Sequence, residues 1–130
     1  MRVNEQNYVD TAEQVIIKLK DKKDRNGRTV PMVTTSKLRN LLAMAADIYN
    51  VIINRQEETL DGEICSRIEY LRVRFLYEAG REPAVKDLVE EAGVMEVLKG
   101  INGSRKQYLL FHRYMEALVA FHRYYGGRDN

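Results

Sequence analysis

Residues Tyr70–Arg81 read YLRVRFLYEAGR, and the direction in which each of these side chains points decides the fold. A helix turns 100° per residue, so residues seven apart nearly superpose. On that period Ile64, Ile68, Leu71, Phe75 and Ala79 fall on one face, an apolar stripe for a core. The opposite face of a surface helix should be polar. Here it carries Tyr70, Val73, Leu76 and Tyr77. Arg67, Arg74 and Arg81 stack between the two faces at seven-residue spacing, along roughly 20 Å of helix axis. Two readings follow. In one, this helix is central, neighbours cover both faces, and the arginines pair with Glu63 and Glu78. In the other, the second face docks a partner or another copy of the chain. The arginine row then tracks a phosphate backbone, which the planar, permanently charged guanidinium suits.

Working outward, helical spacing recurs and no segment alternates like a strand. A first helix is expected from about Gln6 to Lys23, with Tyr8, Ala12, Val15, Ile16 and Leu19 as its stripe. Its end, KLKDKKDRNGR, is a charge run with a helix-stopping glycine, read as a solvated helix end and loop, with RNA contact as the alternative. After Pro31, Thr34, Thr35 or Ser36 can cap a second helix running to about Arg55. Its inward face holds Leu38, Leu41, Leu42, Ala45, Ile48, Tyr49 and Ile52. The third helix is expected over Glu63–Ala79, with Gly80 as a left-handed cap. Pro83 then opens a short fourth helix ended by Gly93, and a brief turn over Val94–Lys99 follows. A last long helix runs from about Lys106 to Tyr125, with GGRDN as a frayed tail over about 126–130. The expected architecture is all-α: one compact helical bundle of about five to six helices, a single domain over residues 1–130.

Length and composition agree. A chain of 130 residues can bury a core without staples. The single cysteine, Cys65, excludes an internal disulfide and fits a reducing cytoplasm. MRVNEQNYVD has no apolar h-region, so no signal peptide is expected. No apolar run reaches the roughly 18 residues of a membrane span. Net charge is only +2, so an RNA binder of this composition must gather its cations into a patch. Lys37 and Arg39 stand in the first turn of the second helix, where cations oppose the helix dipole and a bound anion would offset the cost.

The last helix, QYLLFHRYMEALVAFHRYYGG, places Leu110, Tyr114, Ala117, Leu118, Phe121 and Tyr125 on its core face. His112, Arg113, Glu116 and Arg123 fall on the other side. His112 and His122 are the only histidines, and neither has a carboxylate at a metal-ligand spacing, so no metal and no cofactor are expected. Arg105 and His112 match the loose R-x6-H pattern of HEPN-type ribonucleases, in which a histidine moves a proton and an arginine holds the phosphate. Lys106 stands where those enzymes have a helpful polar residue.

Taken together, TTSKLRNLL, YLRVRFLYEAGR and FHRYMEALVAFHRYYGG resemble the small subunit of the type III-A CRISPR–Cas effector (Csm) complex, from about Tyr8 to Gly127. The resemblance implies a helical, non-catalytic, cytoplasmic protein of antiviral defence. It implies several copies stacked head to tail along guide RNA and target RNA, beside the backbone and large effector subunits. By motif it makes Lys37, Arg39, Arg72, Arg74 and Arg81 RNA-contact candidates, with Arg123 from FHRYYGG. Arg67 joins them from the seam argument alone. The alternatives are a HEPN-like ribonuclease using Arg105 and His112, and a self-assembly module that does not bind RNA.

Overall fold

The computed structural model describes residues 2–129. Among these residues six helices form: α1 Tyr8–Lys20, α2 Thr35–Ile52, α3 Gly62–Arg81, α4 Pro83–Glu91, α5 Val94–Ile101 and α6 Arg105–Tyr124. The all-α bundle expected from periodicity is what forms.

Short polar side chains start the long helices. Thr34 Oγ1 accepts the Lys37 N–H (3.3 Å), Asp61 Oδ1 the Ile64 N–H (2.9 Å) and Ser104 Oγ the Gln107 N–H (3.2 Å). Each bond satisfies a donor with no partner inside the helix. At the far end of α3 the expectation needs correcting. Gly80 is helical, and α3 continues to Arg81. The terminator is Pro83, whose ring disfavours helical backbone at the residue before it. Glu82 accordingly is extended (φ −131°, ψ 113°), and α4 starts at Pro83. Gly93 does take the left-handed conformation (φ +63°), turning the chain from α4 into α5.

The central helix is α6, not α3. Tyr108, Leu110, Phe111, His112, Tyr114, Met115, Leu118 and His122 are buried along it, and α1, α2 and α5 pack around it. Two buried tyrosines tie it to its neighbours: Tyr108 donates to the Ala45 carbonyl (2.6 Å) and Tyr114 to the Ala92 carbonyl (2.8 Å). His112, expected on the polar side, is inside. Ala117, Phe121 and Tyr125, expected in the core, are half-buried. Helix α3 lies to one side, against α2 and α4, with Ile64, Ile68, Leu71, Phe75 and Ala79 inward as the period requires.

Residues 126–129, expected as a frayed tail, are hydrogen-bonded to the body; Asn130 lies outside the described residues. The Thr35 N–H donates to the Arg128 carbonyl (2.7 Å), and Ser36 Oγ donates to the Asp129 carbonyl (3.0 Å). The Gly127 N–H returns to the His122 carbonyl (2.8 Å). Residues Gly126–Asp129 thus close over the start of α2.

Candidate nucleic-acid interface

Because α3 packs on one side only, its second face is bare. Tyr70 is 62% exposed, Val73 56%, Leu76 54% and Tyr77 60%. Large apolar side chains gathered on one exposed face mark an interaction surface more than scattered ones do. The reading in which neighbouring helices cover both faces therefore fails.

Arg67, Arg74 and Arg81 run beside this face, all exposed. Arg81 alone of the three reaches a carboxylate, Glu78 at 3.6 Å, and its guanidinium lies 5.6 Å from the Tyr77 ring centre. Among the described residues Arg67 and Arg74 have no ion-pair partner within 4.0 Å, and the expected pair with Glu63 does not form. Arg72 points to the opposite flank. Its Nη1 donates to Glu69 (2.7 Å), while its Nε is buried without a partner.

The start of α2 lies beside the end of α3, joined by Lys37 and Glu82 at 2.7 Å. Hydrogen bonding and charge from Lys37 hold the Glu82 carboxyl below its usual range. The sequence did not single out Glu82; its one signal was an acidic side chain directly before Pro83, at the N-cap of α4. The amide donors of α2 are also partly used, Lys37 N–H by Thr34 and Thr35 N–H by Arg128. The expected anion site at this helix start is therefore largely filled by the protein itself. Arg39, expected in the first turn, falls just past it because α2 starts at Thr35; it is exposed and has no ion pair among the described residues. Arg123 is exposed and pairs with Asp129 (3.1 Å).

The geometry thus separates two groups. Arg39, Arg67 and Arg74 offer uncommitted guanidiniums to solvent, and Arg81 is loosely held. Lys37, Arg72 and Arg123 already face carboxylates 2.7–3.1 Å away.

The other constellation, Arg105 with His112, is not brought together. Arg105 Nε donates to the Arg55 carbonyl (2.7 Å), locking the connector between α2 and α3 onto α6. His112 is 5% exposed, and its ring lies 4.0 Å from that of Tyr49. Neither ring nitrogen has a hydrogen-bond partner among the described residues. Burial lowers its pKa, against a smaller opposing effect from Glu116. A general acid or base must reach the proton it moves, and this imidazole is enclosed. Among the described residues no three His, Cys, Asp or Glu side chains gather as a metal site. No described helix is long and apolar enough to cross a membrane.

Comparison with known proteins gives the same family as the resemblance read from the chain. Residues 13–128 match the family model described as Csm2 Type III-A. A Streptococcus thermophilus protein named CRISPR system Cms protein Csm2 is 44% identical over 127 residues, covering 98% of each chain. A Mycobacterium tuberculosis protein of the same name is 42% identical over 129 residues, covering 99% of each. One from Enterococcus italicus is 37% identical over 120 residues, 88% of this chain and 86% of that one. Identity of this extent over nearly the full length places the chain in one family: it belongs to the Csm2 family of type III-A CRISPR systems.

Proposed function

We propose that this chain is a non-catalytic small subunit of a type III-A CRISPR RNA-guided effector complex. Several copies stack along the guide–target RNA duplex, beside the backbone and large subunits, in the cytoplasm, and support antiviral defence. The observation that carries this reading is the bare face of α3. There an apolar strip of Tyr70, Val73 and Tyr77 runs beside Arg67, Arg74 and Arg81 on one helix.

Such a face meets both demands on a repeating RNA-bound subunit. Head-to-tail stacking is heterologous, so each copy needs an exposed patch that fits a different patch on the next. The apolar strip supplies one. The guanidinium row supplies contacts to phosphates, which hold RNA without reading its bases. Base identity is then left to pairing between guide and target. A few contacts per copy, repeated along the stack, accumulate as avidity.

Arg39, Arg67, Arg74 and Arg81 are the first contacts in this reading, since little must be broken to use them. Lys37, Arg72 and Arg123 follow by exchanging a carboxylate for a phosphate. Surface pairs contribute only about 0–1 kcal/mol each, so the exchange costs little. The enclosed His112 favours a role without strand cleavage.

The test is fluorescence anisotropy of a labelled RNA and a guide–target duplex against increasing salt. The wild-type chain should bind weakly, without sequence preference, and more weakly as salt rises. Arg67→Glu/Arg74→Glu should bind several-fold more weakly with unchanged helicity. Unchanged binding by that variant sinks the site assignment. No binding by the wild type, with self-association retained, leaves the RNA-independent assembly module instead. RNA cleavage abolished by His112→Ala would make the chain a ribonuclease.

A further inference from the structure

A second basic element lies away from α3, in the link between α1 and α2. The exposed loop expected here, Lys22–Val30, is closed into a short hairpin by one antiparallel bridge. The Val30 N–H donates to the Lys22 carbonyl (2.9 Å), the Asp24 N–H to the Arg28 carbonyl (2.9 Å) and the Gly27 N–H to the Asp24 carbonyl (3.1 Å). Lys23 and Thr29 pair as an antiparallel bridge. Gly27 takes φ +77°, the left-handed step that turns a tight four-residue turn back towards Thr29.

The carboxylate in this turn faces inward. Asp24 Oδ1 accepts the Asn26 N–H (2.8 Å) and the Arg28 N–H (3.0 Å), so its charge is spent on the backbone. Lys22 pairs with Asp87 of α4 (2.9 Å) and anchors the base of the hairpin to the body. Lys23 Nζ donates to Thr29 Oγ1 (3.0 Å). The Arg25 and Arg28 side chains remain, exposed and without an ion pair among the described residues. From Lys23 to Thr29 the hairpin has no apolar side chain.

We propose that this hairpin is a second RNA-contact element, in which Arg25 and Arg28 hold backbone phosphates. The inference rests on the RNA-binding reading above and extends it to a site outside α3. The buried centre of a protein–protein interface sets aromatic side chains beside its arginines, and the tip offers none. A polyphosphate strand needs fixed cations on a pre-formed surface, and the hydrogen-bonded turn supplies them. Its anchor, Asp87, lies on α4, the helix that follows α3.

The experiment compares the full chain with three variants in the same anisotropy titration, using a labelled single-stranded RNA. Arg25→Ala/Arg28→Ala should bind several-fold more weakly, with a log K against log salt slope shallower by about one to two units. Gly27→Val keeps every charge but strains the left-handed position, so it should also weaken binding while overall helicity stays. Lys99→Ala/Arg113→Ala removes two exposed cations elsewhere and should bind nearly as wild type.

Wild-type binding by Arg25→Ala/Arg28→Ala, while Arg67→Glu/Arg74→Glu is impaired, overturns the hairpin site and leaves the α3 reading standing. Equal loss in the Lys99/Arg113 control overturns it too, as an effect of net charge. Full binding by Gly27→Val overturns the claim of a pre-formed turn. A wild-type chain that binds no RNA overturns this inference and the RNA reading together.

Discussion

Gly127 lies against the His122 imidazole with no room for a side chain: a Cβ at position 127 would overlap ring atoms Cε1 and Nδ1. The ring cannot yield cheaply. It is fully buried, its Nε2 donates to the Val33 carbonyl (2.6 Å), and its Nδ1 faces the Thr35 hydroxyl at 3.4 Å. His122 therefore joins the end of α6 to the start of α2, and the glycine lets the tail close over that joint. Gly127→Ala should push the tail away and free the Thr35 N–H from Arg128, at a cost of about 1–3 kcal/mol. Faster hydrogen exchange at Thr35 together with a lower Tm checks it. Unaltered exchange there would mean the tail does not hold the joint.

The same joint should fail from the other side. His122→Phe keeps the ring's bulk but leaves the buried Val33 carbonyl without its donor. Leaving such a group unsatisfied costs about 1–3 kcal/mol, so the midpoint of urea unfolding should fall with an unchanged m-value.

Buried His112 sets a pH dependence. Its folded-state pKa lies below the ordinary value of 6.5, chiefly through burial, so the unfolded chain binds the proton more readily. Stability is then complete above pH 6.5 and falls as pH drops from 6.5 towards the lowered folded value. Thermal melts between pH 7.5 and 5 should show that slope, and His112→Phe should flatten it. Because both ring nitrogens lack partners, this variant should be as stable as wild type or more so at neutral pH.

The two faces of α3 should separate in mutagenesis. Phe75 is fully buried and packs towards Phe111, with ring centres 6.3 Å apart, so Phe75→Ala should cost about 3–5 kcal/mol. Tyr70→Ala/Tyr77→Ala changes only exposed side chains and should move stability by no more than about 0.5 kcal/mol per residue. It should nonetheless reduce the number of copies recovered in the assembled complex, as counted by native mass spectrometry.

The two-faced character of α3 was legible because it depends only on the helical period and residue type. The central place of α6 was not. His112 reads as polar in sequence, yet it lies inside against Tyr49 because α1, α2 and α5 enclose the helix on several sides. Gly80 misled for a local reason: glycine permits a helix end but does not impose one, whereas Pro83 constrains the residue before it. The commitments of the cations were hidden for a longer-range reason. Lys37 meets Glu82 and Lys22 meets Asp87 only after the helices have packed, and nothing in the spacing of those residues announces it. The tail glycines were visible in HRYYGG, but their purpose depends on the ring that Gly127 approaches.

The most direct test of the central claim is affinity purification of the tagged chain from its native cells, with sizing and sequencing of the RNA that accompanies it. The account predicts discrete short RNAs of repeat–spacer type together with large partner proteins. It also predicts that Arg67→Glu/Arg74→Glu lowers the target RNA retained by the complex. Recovery of the wild-type chain alone, free of RNA and of other proteins, would contradict it.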